Sequence, residues 1–184
     1  MAAEHVSIRP AEASDLGAVE RIYAHYVSTT TVSFELEPPD AAAWHDRFAH
    51  VTGAGLPFLV AELSEVDGVA GDGVAGDGSA GVAGYAYCAP WKPRPAYRRT
   101  VEDSIYVAPW AGRRGVGGQL LGALLDACVA AGVREVIAVI VDTGDPASTR
   151  LHTRHGFVTA GRLARVGFKH GTWLDTMLLQ RGLA

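Results

Sequence analysis

Apolar residues recur along this chain with two different periods, and the switch between them marks out its elements. Val6–Pro10 reads as a short first strand. Leu16, Val19, Ile22, Tyr23 and Tyr26 fall on one helix face, and Ser14 stands where a capping residue is expected. The run Ser28-Thr29-Thr30-Thr31 is β-branched and favours extended chain, so the helix yields there. Pro38-Pro39-Asp40 opens a second helix over about Ala41–Val51. Phe58–Leu63 (FLVAEL) and Val82–Cys88 (VAGYAYC) are compact apolar strands. After a proline-rich loop, Ala89–Arg99, comes a further strand, Thr100–Val107 (TVEDSIYV). Gly115–Ala131 predicts a long helix closed by Gly132. Glu135–Val141 (EVIAVIV) is almost wholly apolar, as expected at the centre of a sheet. Thr143–Pro146 is a loop, Ala147–His155 a short helix stopped by Gly156, and Phe157–Phe168 with Thr172–Gln180 a closing strand pair around Lys169-His170-Gly171. This order predicts a mixed α/β fold, one sheet with helices on both faces.

One stretch breaks the pattern. Asp67–Gly71, Asp72–Gly76 and Asp77–Gly81 read DGVAG, DGVAG and DGSAG, three tandem copies too rich in glycine to build a core. Positions 64–81 are therefore expected to be a mobile, dispensable expansion of a hairpin loop. A calcium-binding repeat is the alternative, but these aspartates lack the surrounding acidic ligands such a site needs.

Composition narrows the class. With 184 residues, 48% of them hydrophobic and 20% charged, the chain fits one globular domain spanning 1–184. A net charge of −4 without a basic tail does not point to nucleic acid. No apolar run approaches the ~18 residues that span a membrane. The opening MAAEHVSIRP lacks the order of a signal peptide. Two cysteines, Cys88 and Cys128, do not make a disulfide framework and read as small core residues. A reduced, cytoplasmic protein is the simplest expectation. The seven histidines are scattered without paired ligand spacing, so no metal site is expected.

The chemistry concentrates in Val107–Gly118, VAPWAGRRGVGG, between a strand and a helix. Glycines allow close backbone approach, and the free N–H groups of a helix start make a seat for pyrophosphate. Arg113 and Arg114 add charge-assisted contacts. A Walker loop would end in GK[ST], which is absent, and the spacing does not fit the dinucleotide fingerprint. Coenzyme A is the remaining phosphate cofactor.

The element order with this glycine turn resembles the acyl-CoA N-acyltransferase (GNAT) superfamily, with its mostly antiparallel central sheet. Phe34, the run Pro90-Trp91-Lys92-x-Arg94-x-Ala96-Tyr97-x-x-Thr100-Val101-Glu102, the stretch Arg150-Leu151-His152, and Gly167-Phe168-Lys169-His170-Gly171-x-Trp173-x-Asp175 are similar to phosphinothricin, methionine sulfone and methionine sulfoximine N-acetyltransferases. Three features depart from that pattern: Gly112 at the first position of the turn, Asp145 where asparagine is usual, and the tandem insert.

The resemblance implies acetyl transfer from acetyl-CoA to the amino group of a small amino acid or analogue, in a homodimer, by direct attack. Only a neutral amine attacks, so a base is needed. The resemblance points to Glu102; read from its residues alone, Glu102 is equally an edge residue or a salt-bridge partner of Arg98 or Arg99. Asp103 is expected on the opposite strand face. His152 takes the place of a proton donor to the leaving thiolate or of a substrate contact; its plainer reading is a surface helix residue, as for His155. Ile105, Tyr106 and Val107 would pair with the pantetheine arm, with amides near Tyr106 and Val107 as oxyanion donors. Arg113, Arg114, Gly115, Val116, Gly117 and Gly118 would hold pyrophosphate, with Asp145 and Ser148 nearby. Lys92 and Arg94 are candidate cations for a carboxylate or phosphinate, and Phe34, Tyr97 and Thr100 candidate pocket residues. Trp91 is wall or core. Another amine, or a non-catalytic acyl-CoA sensor, stays open.

Overall fold

The computed structural model describes residues 5–64 and 81–183. The elements are β1 (His5–Pro10), α1 (Leu16–Thr29), α2 (Ala41–Gly53), β2 (Phe58–Ser64), β3 (Val82–Pro90), β4 (Thr100–Val107), α3 (Val116–Ala130), β5 (Glu135–Val141), α4 (Ala147–Arg154), β6 (Val158–Lys169) and β7 (Thr172–Gly182). One seven-stranded sheet runs β1-β2-β3-β4-β5-β7-β6. Every pairing is antiparallel except β4 with β5. The tandem repeat up to position 80, and with it the calcium alternative, lies outside the described residues.

Alternation along β4 sorts the two layers. Tyr106 packs edge-on against Tyr23 of α1, with ring centroids 5.0 Å apart. Asp103 meets His152 of α4, and its β3 partner Cys88 places its Sγ 3.3 Å from Cys128 of α3. So α1 and α2 cover one face, and α3 and α4 the other. Both cysteines are buried and reduced. Leu120, Leu121, Leu124 and Leu125 bury against the sheet. At about 2 kcal/mol per side chain, this burial outweighs the helix-weakening glycines Gly117, Gly118 and Gly122.

Local chemistry explains most boundaries. Asp40 caps α2, its Oδ1 accepting from the Ala43 N–H at 2.8 Å. Gly132, at φ 76°, closes α3. The start of α1 differs from the expectation for Ser14. Ala13–Asp15 is a 3₁₀ turn, and the carboxylate of Asp15 accepts from the Glu12 N–H at 2.8 Å while Arg9 grips it at 2.7 and 2.8 Å. A charged acceptor held by an arginine fills the role that a hydroxyl was expected to fill. The proline-rich loop is shorter than expected, because β3 continues to Pro90 and Pro95–Tyr97 forms a 3₁₀ turn. No helix among the described residues is long and apolar enough to cross a membrane.

Candidate active site

The site is built on β4. Its backbone pairs with β3 along its length, but with β5 only over Thr100–Glu102 against Glu135–Ile137. Beyond Glu102 the two parallel strands part. In the β3–β4 ladder, Trp91 donates to the Thr100 carbonyl and Ala108 to the Ala83 carbonyl. Even-numbered residues of β4 therefore turn their main chain towards β3, and odd-numbered ones towards the wedge. Ile105 and Val107 thus offer main-chain groups to the wedge, a fit for an extended amide-bearing arm. Tyr106, paired with Tyr85, faces β3 instead. Of the two amides expected at the donor end, Val107's is the one directed into the wedge. Its carbonyl already accepts from the Tyr26 hydroxyl at 2.6 Å.

The turn after β4 is wound for anion contact. Arg113 has φ 65° and Gly115 φ 81°, both left-handed. Gly115 is the N-cap of α3 with no side-chain cap, and Gln119 is the first residue to donate back, to the Gly115 carbonyl at 3.2 Å. The N–H groups of Val116, Gly117 and Gly118 stand in the first turn, ahead of the first intrahelical donor. Arg113 and Arg114 are exposed beside them. Across the wedge Asp145 accepts from the Ala147 N–H at 2.9 Å. Its charge caps the start of α4, where a helix dipole favours it.

Glu102 and Ser104 point to the other face, into a cavity of about 340 Å³ that they share with Tyr87 and Ala89 of β3 and Arg47 and His50 of α2. Burial raises the Glu102 pKa above the usual carboxylate range, the charge of Asp103 adds to this, and Lys92 opposes it. Among the described residues Glu102 makes no ion pair with Arg98 or Arg99, which are exposed. A half-buried carboxylate with a raised pKa and no hydrogen-bond or ion-pair partner among the described residues is suited to accept a proton.

His152 does not join Glu102 in this cavity. It is buried on the far side of β4, Nε2 at 3.0 Å from Asp103 Oδ2 and Nδ1 at 2.8 Å from the Ser148 carbonyl. Burial acts to lower its pKa, but the hydrogen bond and charge of Asp103, with the Ser148 carbonyl, outweigh it and the net shift is upward. Both ring nitrogens are engaged. His155 is more than the surface residue expected: it is half-buried, holds the Leu151 carbonyl at 2.9 Å and lies against Gly118 and Gly122 of α3.

The expected substrate residues are spread out. Lys92 stacks over Trp91 at 4.3 Å and acts on Glu102 through its charge. Trp91 and Thr100 are half-buried, while Arg94 and Tyr97 are exposed and do not line the cavity. Phe34 lies in the α1–α2 loop with its ring on Gly167 of β6, where any Cβ would collide with it. The same loop is held by Lys169, whose buried Nζ donates to the Ser33 carbonyl at 2.9 Å. Burial lowers the Lys169 pKa.

Arg47, His50, Tyr87 and Ser104 line the cavity without having stood out in the sequence. Arg47 looks like an ordinary solvated helix position. Its signal is Trp44 one turn earlier, which shares its face; the guanidinium lies 4.7 Å from the Trp44 ring. No group of three or more His, Cys, Asp or Glu among the described residues is placed to hold a metal ion.

Residues 19–157 match the model of the Acetyltransferase (GNAT) family. The chain belongs to this family. It is an acyltransferase by that membership. It is 46% identical over 177 residues to a phosphinothricin N-acetyltransferase of Alcaligenes faecalis, covering 96% of this chain and 82% of the relative. It is 37% identical over 180 residues to an L-methionine sulfoximine/L-methionine sulfone acetyltransferase of Pseudomonas paraeruginosa, covering 96% and 94%. A crystal structure of a GNAT superfamily phosphinothricin acetyltransferase from Sinorhizobium meliloti, in complex with AcCoA, superposes with a TM-score of 0.84 at 39% identity, covering 97% of this chain and 89% of that one. The mixed, mostly antiparallel sheet with helices on both faces is that of a GNAT fold, as the resemblance implied.

Proposed function

We propose that this GNAT acyltransferase transfers the acetyl group of acetyl-CoA to the amino group of a small amino acid of the phosphinothricin, methionine sulfone or methionine sulfoximine type. The observation that carries the reading is Glu102, a half-buried carboxylate of raised pKa in a cavity beside the β4–β5 wedge. The names of the relatives support the substrate class, and the AcCoA complex of the Sinorhizobium meliloti relative supports the co-substrate.

In this reading the thioester arm lies along Ile105–Val107 and its pyrophosphate on the N–H groups of Val116–Gly118, with Arg113 and Arg114 supplying charge. Acetyl-CoA supplies an activated acyl group. Glu102 takes a proton from the ammonium group of the amino acid, directly or through water. The freed amine attacks the thioester carbonyl, the C–S bond breaks, the acetyl group stays on nitrogen, and the proton that the acylated nitrogen sheds goes to the departing thiolate, so that coenzyme A leaves as the free thiol. The Val107 N–H faces the carbonyl oxygen. His152 fixes α4 to β4 through Asp103; with both nitrogens committed, it acts by positioning the cofactor side of the wedge.

A homodimer belongs to the same proposal. Val158, Leu163, Val166, Phe168 and Trp173 are exposed on the β6–β7 edge of the sheet. An apolar sheet edge of this length is suited to a second copy.

The test is free-thiol release from acetyl-CoA by purified protein offered phosphinothricin, methionine sulfone, methionine sulfoximine and ordinary amino acids. Saturable turnover on one of the first three is expected. Tight acetyl-CoA binding with no turnover on any of them would overturn the substrate assignment.

A further inference from the structure

The Glu102 cavity contains a cation that no expectation placed there. Arg47 of α2 is one of its lining residues, on the wall opposite β4. Its side chain is about one-quarter exposed, and its guanidinium carbon sits over the Trp44 ring, 4.7 Å from the centroid, with the Tyr23 centroid at 5.8 Å. The two polar contacts that it makes among the described residues are both stretched. Nη2 is 3.3 Å from Glu35 Oε1, and Nη1 is 3.4 Å from the Tyr87 hydroxyl. A charge-assisted bond to carboxylate closes to ~2.8 Å when the geometry is free to choose. Glu35 belongs to the α1–α2 loop and is 45% exposed, so water competes for its carboxylate. Arg47 is therefore fixed in direction by its aromatic stack but under-used as a donor, with five N–H groups and two long contacts.

The two candidate cations named from the sequence are placed differently. Arg94 is exposed away from the cavity, and Lys92 is spent on the Trp91 ring and the field at Glu102. The cavity that remains has a guanidinium on one wall and a proton-accepting carboxylate on the other. That polarity fits a zwitterion, and a volume of about 340 Å³ suits an amino acid.

We infer that Arg47 binds the free α-carboxylate of the amino acid, and that the Glu35 side chain occupies Arg47 until substrate displaces it. This rests on the proposed acetylation of α-amino acids. It makes Arg47 a specificity residue: an analogue without the α-carboxylate loses its anchor while keeping its amine. A planar fork matches a carboxylate bidentately, so lysine would not substitute fully. Glu35 competes with substrate, so its removal should tighten binding.

The experiment is steady-state kinetics on the full chain with two probes, methionine sulfone and its α-carboxamide. Wild type should prefer the acid by about 100-fold in kcat/KM, as sites built to bond a polar group reject analogues lacking it. Arg47→Gln should raise KM for the acid about 30-fold and change the amide less than about 3-fold, erasing the preference. Arg47→Lys, which keeps the charge and the stem over Trp44, should lose part of the preference and covers the case in which the glutamine variant does not fold. Glu35→Gln should lower KM for the acid about 3-fold and leave the amide unchanged. Equal losses on acid and amide in both Arg47 variants, or a raised KM for the acid in Glu35→Gln, would overturn the role of Arg47 and leave the acetylation reading standing. A wild type that turns over no amino acid at all would overturn that reading, and this inference with it.

Discussion

Glu102 and Asp103 are neighbours in the chain and serve opposite faces of β4. Glu102 faces the cavity that holds Arg47, whereas Asp103 is buried on the far side with His152 at 3.0 Å. Two adjacent carboxylates are thus given different work by the strand's two-residue period. Among the described residues Glu102 has no hydrogen-bond or ion-pair partner, whereas Asp103 is bound to His152. They are not independent, because the Asp103 charge also raises the Glu102 pKa.

Glu102→Gln should lower kcat by about 10²- to 10⁴-fold, the usual share of a positioned base, and leave acetyl-CoA binding within about 2-fold. The pH profile adds a second check. Base catalysis needs ionised Glu102, so kcat/KM should fall as pH drops through a pKa above the ordinary carboxylate value. Lys92 opposes the upward shift. Lys92→Gln should therefore move the acid limb to higher pH. A profile that does not move would remove Lys92 from the field at Glu102.

The His152–Asp103 pair predicts a pH-dependent stability. The folded His152 pKa lies above its ordinary value. A group with a raised folded pKa contributes its full stabilisation below the unfolded value of ~6.5 and loses it as pH rises through the folded one. Melting temperature should therefore fall as the solution is taken from weakly acid to alkaline pH. His152→Gln should flatten this dependence. Removing one partner of a buried pair also costs about 3 kcal/mol, measurable by denaturant unfolding.

Gly84 marks a close approach between β3 and β4. A Cβ there would stand 2.8 Å from the Tyr106 carbonyl oxygen, 3.2 Å from Val107 Cα and 3.1 Å from Leu120 Cδ1. Two of these three are main chain and cannot swing away. Gly84→Ala should destabilise the fold by about 2 kcal/mol. It should also raise KM for acetyl-CoA more than KM for the amine, because it displaces the Tyr106–Val107 end of β4. Equal effects on both would separate Gly84 from the cofactor end.

Trp173 is exposed on β7, with Phe168 at 5.1 Å and Arg165 over its ring at 5.0 Å. Trp173→Lys should convert a dimer to a monomer in size-exclusion chromatography with light scattering, with little change in far-UV circular dichroism. A protein that is monomeric before the change would end the homodimer proposal.

Some of this was legible in the chain. The two hydrophobic periods mark every strand and helix to within a few residues, since burial on one face imposes a period on the sequence itself. Asp40 as the cap of α2 and the glycine turn before α3 are likewise local chemistry, written in adjacent residues. The opposite faces of Glu102 and Asp103 follow from alternation alone. Ser14 was misread because an arginine from β1 and a carboxylate at the turn do the capping, a contact between elements rather than within one.

The rest required the fold. That β4 and β5 part after Glu102 depends on the paths of two strands separated by a whole helix, and no residue in either announces it. Nothing local in α2 says that Arg47 faces Glu102, 55 positions later. His152 reads as a surface histidine until α4 is laid on β4 and Asp103 is found beneath it. Sequence by itself determined which elements form, because period, caps and turns act over a few residues. Only the tertiary structure decided which charges are paired, which are left free and which share a cavity, because those depend on distances between elements that the chain order does not encode.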